Sequence, residues 1–217
     1  MPYIEIGDHS SLYYRDWGTG MPIVFLSSWA VSSPMWEYQM LPLSEHGLRC
    51  IAYDRRGHGR SDDPGHGYEF DTLADDLAQL LAHLDLREVT LVGHSMGCAE
   101  IARYLSRHGT TRIARTVLIS SITPFLLQTA DNPEGAPPSI LEANSAALIA
   151  DRPLYFARSR IKFFGLGVTS PASDPISPEV VQWGLRLIDE CSPKAVLDCL
   201  YAFCIKNGLS LIELLNF

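Results

Sequence analysis

The sequence predicts an α/β fold: a doubly wound, mostly parallel sheet with a helical lid above it. Three observations point there. Short apolar runs alternate with helix-period segments through residues 1–123, the rhythm of strand–helix–strand units with right-handed crossovers. Beyond residue 123 the buried-strand runs stop and helical periods continue alone. The 217 residues are also 47% hydrophobic, enough to bury a real core in one domain, which excludes intrinsic disorder.

The elements follow in chain order. Tyr3–Ile6 and Leu12–Trp17 alternate apolar and polar residues, as two antiparallel opening strands would, and Gly18-Thr-Gly20 turns the chain. Pro22–Leu26 is a continuous apolar run, the mark of a strand covered on both faces. A serine-rich loop leads to a helix near Trp36–Glu45, closed by Gly47. Arg49–Tyr53 is a second buried strand, followed by the glycine-bearing loop Asp54–Ser61. Asp71 or Thr72 caps a helix to about Leu84, which lines up Leu73, Leu77, Leu80, Leu81 and Leu84. Val89–Val92 is a strand, Cys98–Arg107 a helix and Ile113–Ile119 a strand. Residues 131–139 are turn chemistry. Helical periods then cover Ser139–Ala150, Pro153–Phe164, Pro178–Glu190 and Pro193–Cys204, with the Gly/Pro/Ser-rich stretch 165–177 between the second and third. The chain therefore divides into a core at 1–123, a lid at 124–204 and an atypical tail at 205–217.

Charge narrows the partners. Seventeen Lys and Arg against 25 Asp and Glu leave a net charge of −8. Phosphate backbones and anionic membrane surfaces both call for a basic face, so neither nucleic acid nor a membrane is expected. No apolar run is long enough to span a bilayer, and MPYIEIGDHSS lacks the basic and apolar regions of a signal peptide. Five cysteines without a C-x-x-C pair read as free thiols in a reducing, cytoplasmic setting. No residue cluster has zinc-ligand spacing, and no metal or cofactor is expected.

The chemistry centres on Gly93-His-Ser-Met-Gly97. The G-x-S-x-G spacing has a steric reason: a strand must turn abruptly into a helix, holding Ser95 strained with its hydroxyl presented. Gly93 and Gly97 let the strand and helix approach. The pattern directly follows VTLV and opens a helix, which favours a nucleophilic serine over a plain turn serine. The Met96 amide, at the helix start, then faces a developing oxyanion. A second donor comes from the loop after the third strand, Ser27-Ser28-Trp29-Ala30, and the Trp29 amide is the choice. The Trp29 indole packs under the lid in the same reading.

With AYDRRGHGRSD (52–62), LVGHSMG (91–97) and WEYQMLPLSEHGLRCIAYD (36–54), residues 1–204 resemble the α/β-hydrolase fold. They are most similar there to the cofactor-free haloperoxidase, perhydrolase and arylesterase group. The resemblance implies hydrolysis of small carboxylic esters or lactones through a Ser-His-acid triad, with peracid formation from hydrogen peroxide in some members. Ser95 matches the nucleophile, and the Met96 and Trp29 amides match the oxyanion hole. Asp54–Ser61 matches a structural loop, in which Gly57 and Gly59 permit unusual backbone angles.

Two departures stand out. Relatives carry His-Gly where Ser27-Ser28 stand. If the second position takes positive φ, Ser28 costs about 1 kcal/mol and displaces the Trp29 amide. The larger departure is the triad. Chain order in the fold is serine, acid, histidine, yet the only histidine after Ser95 is His108, about 20 Å along the helix from the bend. The strand ending at Ile119 is followed by Ser120-Ser-Ile-Thr123 without a carboxylate, and Asp131, Asp151, Asp174, Asp189 and Asp198 read as caps or solvated charges of the lid. Triad acid and histidine are thus absent. His94 reads as packing beside the sheet. His58, with Asp62 nearby, is the weaker alternative for a base.

Residues 205–217, IKNGLSLIELLNF, hold two of the four Asn and one of the three Lys, with no Arg or Ala. That shift reads as a changed frame or altered terminus, which leaves the family pattern incomplete at its carboxyl end. The expectation is weak turnover, reduced stability, and self-association through a sheet edge left uncovered. The alternative is a non-catalytic hydrolase-fold protein that binds a small acyl ligand or a partner chain. Lid aromatics Phe125, Tyr155, Phe156, Phe163, Phe164 and Trp183 suit a small apolar acyl group, although at helical spacing such residues are more often core.

Overall fold

A computed structural model describes residues 2–123, 126–166 and 176–204. The tail 205–217, Phe125, Asp174 and most of the 165–177 stretch lie outside the described residues.

Six strands form one sheet: β1 (Tyr3–Glu5), β2 (Ser11–Trp17), β3 (Met21–Leu26), β4 (Leu48–Tyr53), β5 (Val89–His94) and β6 (Ile113–Ile119). Their spatial order is β1-β2-β4-β3-β5-β6. The first two strands are antiparallel additions, and β4, β3, β5 and β6 run parallel. The helices are α1 (Glu37–Glu45), entered through a 3-10 turn at Ser33–Trp36, then α2 (Phe70–His83), α3 (Met96–His108), α4 (Pro138–Phe163), α5 (Pro178–Asp189) and α6 (Pro193–Cys204).

Alternation along β3 sorts the layers. Val24 and Leu26 pack with Leu77, Leu80 and Leu81 of α2 and with Ile101 and Tyr104 of α3. Phe25 points the other way, into a cluster with Trp36, Met40 of α1 and Val92 of β5. A third cluster caps the carboxyl ends of the strands. It joins Ala30, Val31, Phe70 and Met96 to Phe156 of α4, Leu187 of α5, and Val196, Cys199 and Phe203 of α6.

Two expectations are corrected. Neither Asp71 nor Thr72 caps α2: Glu69 holds the cap position without a side-chain bond, while Asp71 pairs with Arg103 and Thr72 donates to the Glu69 carboxylate. The turn sequence GHSMG is shorter than read, because β5 continues through Gly93 and His94 and α3 begins at Met96. The two helical periods in 138–163 meet as expected at a break, the non-helical Asp151 (φ −160°, ψ 87°), whose carboxylate accepts the Leu154 amide at 2.9 Å and starts the second helix. Pro153 occupies the first turn there, where its missing N–H costs nothing. Asp198 is a helix-surface charge paired with Lys194 at 2.8 Å. Of the lid aromatics, Phe156 is core, Tyr155 and Trp183 pack against the core, and Phe163 is exposed. All five cysteines are free and buried.

Candidate active site

β5 carries the chain to the carboxyl edge of the sheet, and Ser95 makes the bend into α3. Its dihedrals, φ 53° and ψ −111°, lie outside every favoured region for a side-chain-bearing residue, a strain of about 1–3 kcal/mol that surrounding structure must hold. Three contacts hold it, one of them the Cys98 amide donating to the Ser95 carbonyl at 3.0 Å. The Ser95 amide donates to the Ile119 carbonyl at 2.9 Å, and the Cys98 thiol donates to the Gly93 carbonyl at 3.2 Å. Space is tight on both sides. A Cβ on Gly93 would stand 2.7 Å from the Gly97 carbonyl carbon, and a Cβ on Gly97 would stand 2.5 Å from the Leu26 oxygen.

Ser95 is half-buried, and its hydroxyl makes no hydrogen bond among the described residues. The Met96 amide is the first of α3 and has no intrahelical acceptor. Met96 is fully buried, and its amide finds no other acceptor among the described residues. Trp29 lies on the loop after β3. Its indole nitrogen donates to the Val196 carbonyl of α6 at 2.8 Å, and its ring meets Tyr155, Phe156 and Phe203. The Trp29 backbone amide has no acceptor among the described residues.

The loop differs from expectation at one position. Ser28 does not take positive φ; Ala30 does, at 57°. Ser28 is instead tied down twice, its amide donating to the Met35 sulfur at 3.3 Å and its carbonyl accepting from Arg55 at 3.2 Å. The left-handed turn therefore falls after Trp29.

The histidines are placed clearly. His108 ends α3 with Nε2 2.7 Å from Asp75, one helix length from the bend. His58 is enclosed at 1% exposure. Its Nδ1 lies 2.9 Å from the Arg56 carbonyl, and its Nε2 is buried without a partner. Asp62, its expected companion, accepts the Ser11 amide instead. Burial pushes the His58 imidazole down to about 4, with the Arg55 charge adding to the effect. Burial also lowers His94, whose Nδ1 has no partner.

Sequence reasoning missed the polar cluster beneath the site. Arg55 and Glu100 pair with side chains 2% and 0% exposed. Burial raises the Glu100 carboxyl and lowers the Arg55 guanidinium, each because its charge has left water. A signal was present: a glutamate inside the apolar face of SMGCAEIARYL needs a buried cation. Among the described residues no group of three His, Cys, Asp or Glu could hold a metal ion, and no helix is long and apolar enough to cross a membrane.

Known proteins share this fold. The model of the alpha/beta hydrolase fold family matches residues 21–151, more than half of the chain. The chain belongs to the alpha/beta hydrolase fold family. Within that family its kin are haloperoxidases and esterases. A non-heme haloperoxidase of Rhodococcus erythropolis is 43% identical over 84% of this chain and 66% of its own length. A bifunctional esterase/perhydrolase of Acinetobacter calcoaceticus is 34% identical over 84% of this chain and 67% of its own. The crystal structure of a bromoperoxidase from Bacillus anthracis superposes with a TM-score of 0.84 at 42% identity, covering 89% of this chain and 70% of that one. The chain thus spans about two thirds of the length of these hydrolase relatives.

Proposed function

We propose that this chain performs acyl transfer on small carboxylic esters or lactones through Ser95. The observation that supports the reading is the strained backbone of Ser95, φ 53° and ψ −111°, directly before the first amide of α3. Met96 is fully buried and its amide lacks an acceptor among the described residues, which costs about 1–3 kcal/mol; an oxyanion held by the Met96 and Trp29 amides would supply one. In the forward step the Ser95 oxygen bonds to the ester carbonyl carbon, and the carbonyl oxygen takes the negative charge. Collapse expels the alcohol and leaves an acyl-serine, which water hydrolyses to the acid. Hydrogen peroxide in place of water would release a peracid. Tyr155, Phe156 and Phe203 of the lid helices meet the Trp29 ring and would bound the acyl side.

No histidine or carboxylate contacts the Ser95 hydroxyl among the described residues, so its proton passes to solvent. Removing triad members from a serine protease leaves about 10³–10⁴-fold acceleration over water from the oxyanion hole and binding. Turnover of that faint order is expected here. The test is p-nitrophenyl acetate hydrolysis beside Ser95→Ala: loss of the enzymatic rate supports the reading, and equal rates overturn it.

A second, non-catalytic reading is favoured by one observation. β6 exposes Val117, Leu118 and Ile119, an apolar edge suited to pairing with a second copy of this chain. Light scattering that returns the mass of a dimer supports self-association, and a monomer across micromolar concentrations removes it.

A further inference from the structure

The buried pair under the β3 loop does work that the acyl-transfer scheme leaves unassigned. Arg55 stands two residues beyond β4, and Glu100 is the fifth residue of α3. Arg55 Nε donates to one Glu100 oxygen, and the Tyr53 hydroxyl donates to the other. The remaining guanidinium nitrogens reach forward: Nη2 donates to the Ser27 carbonyl, and Nη1 donates to the Ser28 carbonyl at 3.2 Å.

Net stability is a poor explanation for this cluster. A buried ion pair and well-packed apolar side chains of similar volume stabilise a fold about equally. What apolar side chains cannot do is hold two consecutive carbonyls. The Ser28 carbonyl and the Trp29 N–H belong to one planar trans peptide, so they point in opposite directions. With the carbonyl drawn inward to Arg55, the N–H must face away from the core. The Ser27 carbonyl, held on the same guanidinium, prevents the peptide from turning over. Glu100 lies on the helix whose first amide belongs to Met96. One ion pair therefore couples both unpaired donors, one on the loop and one on the helix.

We propose that Arg55, anchored by Glu100, is a positioning residue that aims the Trp29 amide at the developing oxyanion. The proposal rests on the acyl-transfer reading above. Arginine suits the task because its planar fork serves the carboxylate and both carbonyls at once, which a single ammonium does not.

The test removes the whole network together, so that no charge or hydroxyl is left buried alone: Tyr53→Phe, Arg55→Met and Glu100→Leu in one variant. On p-nitrophenyl acetate, kcat should fall about 10²–10³-fold, the cost of one lost oxyanion donor, with KM within twofold and an unchanged circular dichroism spectrum. Ser95→Ala run beside it separates the two claims. If Ser95→Ala is inactive while the triple variant matches wild type, the positioning role falls and acyl transfer stands. If Ser95→Ala matches wild type, acyl transfer falls, and the crystal structure of the triple variant decides the rest. A Ser28–Trp29 peptide that keeps its direction overturns the proposal; one that has turned supports it. Should the triple variant not fold, Arg55→Lys keeps the charge beside Glu100 and releases at least one carbonyl, and the same kcat and peptide direction are read.

Discussion

β5 and β6 lie side by side in parallel register, Leu91 opposite Thr116 and Val92 opposite Val117, yet their surroundings differ completely. Val89 and Leu91 are sealed against α2 and α3, and Val92 packs with Phe25 and Trp36 on the other face. Along β6 only Ile113 is half-buried, and Val117, Leu118 and Ile119 are 44%, 48% and 40% exposed. Backbone pairing and burial are thus separate quantities. Hydrogen bonds to β5 place β6, but only helices on both faces can remove its side chains from water. The two strands still share one task, because the Ile119 carbonyl at the end of β6 accepts the Ser95 amide at the end of β5.

That contrast can be tested by substitution, and the largest effect belongs to the buried side. Glu100→Ala should leave the Arg55 charge enclosed without a partner and cost about 3–5 kcal/mol, read as a fall in the urea midpoint. A change below about 1 kcal/mol would mean that water reaches the pair. Leu91→Ala should cost about 2–5 kcal/mol by lost burial and the cavity left behind. The companion Leu118→Ala on β6 should stay within about 0.5 kcal/mol. Equal losses at the two positions in the isolated chain would show that something covers β6 in solution.

The buried side also carries a pH signature. Unfolded, His58 takes a proton below about 6.5; folded, it does so only below about 4. Between those values the unfolded chain binds the extra proton, so stability falls as pH drops from about 6.5 to 4 and levels off below. The full difference is about 3 kcal/mol at 1.36 kcal/mol per tenfold in proton affinity. Urea midpoints at pH 7, 5 and 4 for wild type and His58→Gln should diverge accordingly. A slope unaltered by His58→Gln would assign the loss to other groups.

Much of this architecture was legible in residue order. Six strands and the helices between them announced themselves because local periodicity reflects which faces are covered, and G-x-S-x-G marked the bend because only glycines tolerate the clearances at 93 and 97. The kink at Asp151 was foreshadowed by Pro153. Other features were not readable. The cap of α2 was misplaced because the helix already begins at Phe70, which puts Asp71 inside its first turn, where it pairs with Arg103, 32 residues away. The left-handed position fell at Ala30 rather than Ser28 because Arg55 holds the Ser27 and Ser28 carbonyls.

What the sequence determined by itself was everything set by neighbours along the chain: the alternation of strands and helices, and the sharp turn at Ser95. Tertiary structure alone decided which side of the sheet is covered, and which distant groups meet beneath Trp29. The physical reason is distance in the chain. A turn or a helical face is specified within about ten residues, whereas the meeting of Ser27, Arg55 and Glu100 exists only after the layers have packed and expelled water from between them.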